Sequence, residues 1–162
     1  MVRSAAWIVL SLVVSLSHFL RPAHADDAAI AKEQAKLNGI WVLTSIEFQG
    51  KDVEHPGNGK MEHHFDGTRL KINLDLRPMI SETLFYRIDP STSPKMIDVG
   101  TTTDGFKTKT EMREGIYEIK GDQLLWALHI KDGVNGLRER PTEFKTDAES
   151  NIIIYKLKRI SD

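Results

Sequence analysis

The residues best equipped for chemistry lie between positions 55 and 66, where "MEHHFD" sets His63 beside His64, with Glu62 adjacent and His55 shortly upstream. Imidazoles and carboxylates are common metal ligands, so a metal site is the first chemistry such a cluster suggests. In a strand, however, adjacent residues point to opposite faces, and the two rings cannot converge on one ion. Asp66-Gly67 suits a two-residue hairpin turn, which pairs His64 with Arg69 and His63 with Leu70. On that register Glu62, His64, Arg69 and Lys71 share a charged face, while His63 joins Met61, Phe65, Leu70 and Ile72 on an apolar one. No metal site is expected, and His63 is expected to point inward.

Nucleophilic catalysis has less to build on. The chain has no cysteine and no Gly-x-Ser-x-Gly elbow. Asp98 and Glu111 are carboxylates that could meet, but Asp98 alternates with Ile97 and Val99 and reads as a solvent-facing strand residue. The sequence therefore predicts no catalytic residues, no enzyme activity and no cofactor.

The elements that must position these groups are mostly strands. "DAAIAKEQAKL", residues 27 to 37, is rich in strong helix formers and is followed by Asn38-Gly39 as a stop, predicting one short helix. Beyond Gly39 the helical period disappears. Strands are predicted at 40–49, 60–66, 68–75, 80–88, 95–101, 110–120, 123–130, 142–147 and 151–159, with longer loops at 52–59, 101–109 and 131–141. The Pro90 and Pro94 loop, "DPSTSPK", reads as a rigid turn in which Asp89 or Ser93 can bond nearby amides.

"GIYEIKGDQLLWALHI" can be registered on its Gly121-Asp122 turn. Lys120 then faces Gln123, Ile119 faces Leu124, Tyr117 faces Trp126, Gly115 faces Leu128 and Arg113 faces Ile130, which makes one face almost wholly apolar. The reverse face sets Glu118 against Leu125, Ile116 against Ala127 and Glu114 against His129, and its mixed character predicts contact with water. Gly115 opposite Leu128 leaves room beside the aromatic pair and favours a curved sheet.

Residues 1 to 25 have the layout of a secretory signal peptide: Arg3, an apolar run from Ala5 to Leu16, and Ala23-His24-Ala25 at the cleavage site. The run is too short and too interrupted for a membrane span. Residues 26 to 38 are then a short helical lead and 39 to 162 one domain. The chain carries 22 Lys and Arg against 23 Asp and Glu, with no basic run to mark a nucleic-acid or membrane-surface partner. An exported, periplasmic or secreted protein without cysteine relies on its core and not on disulfides.

Gly39-Ile40-Trp41 opens the first strand after a short helix, and Lys158-Arg159 closes the last. This resembles the lipocalin arrangement, in which Trp41 would plug the closed end of the barrel and Arg159 would pack over it, a cation–π contact worth about 0.5–2 kcal/mol. "IDPSTSPKMIDV" at 88–99, "GIYEIKGDQL" at 115–124, "RPTEF" at 140–144 and "LKR" at 157–159 are similar to an uncharacterised, planctomycete-type family of lipocalin-like bacterial domains. The resemblance covers residues 38 to 160. It implies fold and export, and it assigns no ligand or activity.

The fold class expected is all-β: an antiparallel up-and-down barrel of eight to nine strands, lipocalin-like, with one short N-terminal helix. The function expected is a non-catalytic binding module for a small apolar molecule inside the barrel. His63, Phe65, Leu70, Arg113, Tyr117, Trp126 and Leu128 would line the cavity, Arg113 and His63 supplying its oriented polar groups. The competing expectation is a cell-envelope structural or protein-interaction domain whose barrel is filled by its own side chains.

Overall fold

A computed structural model of the chain describes residues 26–54, 59–75, 78–104, 106, 112–129 and 139–160. The signal peptide expected over residues 1 to 25 lies outside the described residues, as do His55, Glu111 and Ile130. Helix α1 (Asp27–Leu37) forms over the residues predicted for it. The Asp26 carboxylate accepts the Ala29 N–H at 2.6 Å, and Asp27 and Lys36 stand at the helix ends that favour their charges.

Nine strands follow: β1 (Gly39–Phe48), β2 (Lys51–Glu54), β3 (Met61–Asp66), β4 (Arg69–Leu74), β5 (Ile80–Asp89), β6 (Lys95–Gly100), β7 (Met112–Lys120), β8 (Gln123–His129) and β9 (Ile152–Arg159). From β3 onward each pairs antiparallel with the next, and β9 returns to pair with β1, closing an eight-stranded barrel. The ninth, β2, pairs only with the far half of β1, whose near half pairs with β3. β2 therefore continues the line of β3 along the same side of β1.

Alternation decides the two faces. Trp41, His63, Phe65, Leu70, Tyr86, Ile97, Tyr117, Leu124, Trp126 and Leu157 point inward and are at most 4 % exposed. At Thr44 β1 carries a bulge against β9, and its hydroxyl donates to the Lys156 carbonyl at 2.8 Å. After the bulge, Ile46 faces Tyr155 and Phe48 faces Ile153, so the inward set resumes.

Several expectations are corrected. β2 forms where a loop was predicted, because Gln49 and Gly50 both take positive φ (51° and 71°), the geometry of a tight hairpin turn whose twist matches its strands. Residues 142–147 form no strand: barrel closure leaves no free edge beside β9, and the segment lies across the outer wall instead. The first hairpin turns at Gly67-Thr68 and not at Asp66-Gly67, since Gly67 holds the left-handed φ of 58° and Asp66 pairs with Arg69. Partners therefore shift by two residues, His63 to Ile72 and His64 to Lys71, and both faces keep their members.

The outer face of β7 and β8 is not wetted as expected. Ile116, Ala127 and Ile154 are at most 2 % exposed, packed under Phe144 with Leu125 and Ile152. Nor does Asp98 face solvent. It is 6 % exposed, accepting Arg87 Nε at 2.8 Å and Arg140 Nη2 at 2.6 Å, while Arg140 also donates to the Gly115 carbonyl. Two guanidiniums around one carboxylate satisfy a charge that burial alone would make costly.

Candidate functional site

The end of the barrel beside α1 is closed. There the Trp41 indole, fully buried, donates to the Leu37 carbonyl at 2.7 Å, and the Arg159 guanidinium lies 4.1 Å over its ring. Arg159 also donates to the carbonyls of Asn38 and Lys36, so one side chain ties the last strand to the end of α1. Gly39 makes room for it: a Cβ there would come within 2.7 Å of the guanidinium. Glu33 of α1, 4 % exposed, reaches Lys95 and Lys36. Burial pushes its carboxyl up, and the hydrogen bonds and charges of the two lysines outweigh that and hold it below the ordinary carboxylate range.

All seven residues proposed as lining lie on the inner face, and six of them pack directly into the core. His63, Phe65, Leu70, Tyr117, Trp126 and Leu128 are at most 4 % exposed. The His63 ring meets Trp126 edge-on at 6.2 Å, Trp126 leans on Tyr155 at 5.3 Å, and Phe65 meets Tyr86 edge-on at 5.2 Å. Gly115 permits this stack, since a Cβ would meet the Ala127 carbonyl at 2.6 Å and Trp126 Nε1 at 3.1 Å. The seventh residue, Arg113, shares their register but is exposed at the opposite end.

At the opposite end the described residues of the inner face are apolar and only partly covered. Ile46, Met61, Ile72, Leu84, Ile153 and Tyr155 pack on the core while remaining partly exposed. Above them Val53 and Ile80, both inward by register, are 45 % and 55 % exposed, and neighbouring Met79 is 67 % exposed. These are the large hydrophobic residues most exposed among the described residues, and all three stand at one rim. Among the described residues the inner wall is thus cup-like: a floor of Trp126, Tyr155 and His63, half-covered aliphatic sides and an apolar lip. Except for Arg113, the residues facing its opening were missed in sequence, because alternation reports the face and not the height along the barrel.

The floor is apolar in character despite its polar atoms. Tyr86 Oη, Tyr117 Oη and Trp126 Nε1 are buried without a hydrogen-bond partner among the described residues. Burial pushes the Tyr86 hydroxyl up to about 12, with Asp66 adding to the effect, and raises Tyr117 further. Burial also raises Tyr155, and the Arg113 charge offsets part of that rise. These phenols stay neutral at physiological pH.

Among the described residues no group of three or more His, Asp or Glu converges as a metal site. His64 turns outward, with Nε2 2.8 Å from Glu62. A groove of about 320 Å³ on the outer wall is lined by Ile30, Arg87, Met96, Asp98 and Arg140, but its guanidiniums are already committed to Asp98 and brace the 139–147 segment. No protein-family model, curated protein or solved structure matches the chain, and the open end of the barrel is the feature on which a functional reading rests.

Proposed function

We propose that the chain is an exported, non-catalytic binding module that takes a small apolar molecule into the open end of its barrel. The observation that carries this is the gradient along the inner wall, from Trp41, Leu70 and Leu124, at most 1 % exposed, to Val53 and Ile80, 45 % and 55 % exposed at the lip. Exposed apolar surface gathered at one place on an otherwise polar protein marks a site of contact with something else. Kinship with lipocalin-like domains belongs to the same proposal and draws support from Trp41 under Arg159 at the closed end. Export draws its support from the pattern of residues 1 to 25 alone.

Titration with the neutral fluorophore N-phenyl-1-naphthylamine tests the reading. Saturable enhancement that is lost in Ile72→Trp, which fills the cup, is the expected result. Absence of enhancement, or enhancement untouched by that substitution, counts against it. A second reading, a filled barrel serving a structural role, is favoured by the mutual packing of six of the seven candidate lining residues. It predicts no probe binding at all.

A further inference from the structure

Arg113, with Lys51 nearer the lip, is a cation of the barrel's inner face that has no ion pair among the described residues, and Arg113 is the one that stands next to the core. Its register is inward: on β7 it stands two residues above Gly115 and opposite Val99, which is 4 % exposed. Lys95 and Arg159, also inward by alternation, are engaged at the closed end with Glu33 and with backbone carbonyls. Arg113 makes no hydrogen bond or ion pair among the described residues. Glu82, inward by register at the same end, forms no ion pair with it. Arg113 alternates with Gly115 and Tyr117, which put its side of β7 toward the interior, and its charge acts on the inward Tyr155 hydroxyl against the rise that burial causes.

A guanidinium with open donors beside a half-exposed apolar wall is matched by one kind of guest. A carboxylate or sulfate group accepts two parallel N–H bonds from Arg, and such charge-assisted pairs are about twice as strong as neutral ones. Ile72, Leu84 and Ile153 below it would take an alkyl or aryl body. Resting on the binding role proposed above, we infer that the guest is an amphiphile with a single anionic head seated on Arg113 and its apolar tail directed down the cup.

Three straight-chain probes with nearly equal alkyl tails and different heads separate this inference from the reading beneath it: decanoate, 1-decanol and decyltrimethylammonium. Each is used below its micelle concentration at pH 8, displacing N-phenyl-1-naphthylamine from the purified protein. Decanoate is expected to bind about tenfold more tightly than decanol, and the cationic probe more weakly than either. Arg113→Gln is expected to erase the advantage of decanoate while leaving decanol within about twofold, and Arg113→Lys to keep part of it. Circular dichroism melting checks that these exposed-site variants fold. If decanoate binds no better than decanol, or keeps its advantage in Arg113→Gln, the anionic head is overturned while decanol binding upholds the cup. If none of the three displaces the fluorophore, both ideas fall.

Discussion

The two ends of the barrel are built from the same kinds of residue and put them to different use. At the closed end Trp41, Leu37, Leu124 and Tyr117 are at most 1 % exposed, Glu33 is answered by Lys95 and Lys36, and Arg159 is held by backbone carbonyls. At the open end Val53, Met79 and Ile80 keep roughly half or more of their surface in water. Burial of a large apolar side chain is worth about 1.5–3 kcal/mol, so the lip forgoes stability that the base collects. Stability accounts for the base and cannot account for the lip, which is why the functional reading attaches there.

The comparison breaks most readily at Trp126, which belongs to the base by burial and to the cup by position. Trp126→Ala is expected to destabilise the protein by about 3–5 kcal/mol in urea unfolding, and a loss under about 1 kcal/mol would mean the floor is not packed as described. Next is Gly115→Ala, where the new Cβ meets a backbone carbonyl that has no rotamer to escape into. It should cost about 1–3 kcal/mol and shift the Trp126 emission.

Alkaline titration sharpens the contrast without mutation. Tyr86 is raised in the folded state, so its contribution is fully present below the ordinary tyrosine value of 10 and is lost as pH climbs toward about 12. Unfolding monitored by tyrosinate absorbance should lower stability by about 2 kcal/mol across that window, and Tyr86→Phe should flatten the slope. The smallest effect belongs to the lip: Ile80→Ser should change stability by no more than about 0.5 kcal/mol in urea unfolding while weakening uptake of the neutral fluorophore. A large loss of stability there would make the lip part of the core after all.

Much of the architecture was legible because two-residue periodicity and turn glycines are local signals. The Gly121-Asp122 turn set the β7 and β8 pairing residue for residue from Lys120–Gln123 to Gly115–Leu128. At Gly67 the turn was misplaced, yet a shift of two residues preserves every face, so His63 still fell inside. What alternation could not show was distance along the barrel axis, which depends on how eight strands are staggered. Arg113 and Trp126 therefore looked equivalent in sequence although one is exposed and the other buried. The buried outer patch had a signal that went unused: "NIIIYKL" is apolar on both faces, and such a strand implies cover on both. Its cover, Phe144, comes from a segment with no helical or strand period of its own.

The half-paired strand β2 bears on how the protein behaves in company. A closed barrel hides its hydrogen-bonding edges, so β2 is the place among the described strands where another chain could add itself. It offers four residues, Lys51, Asp52, Val53 and Glu54, of which three are charged, and Lys156 holds Asp52 at 2.8 Å from the side. A strand so short and so charged makes a poor template for stacking. Lys51, Asp52 and Glu54 thus guard the strand beside the apolar rim against edge-to-edge pairing.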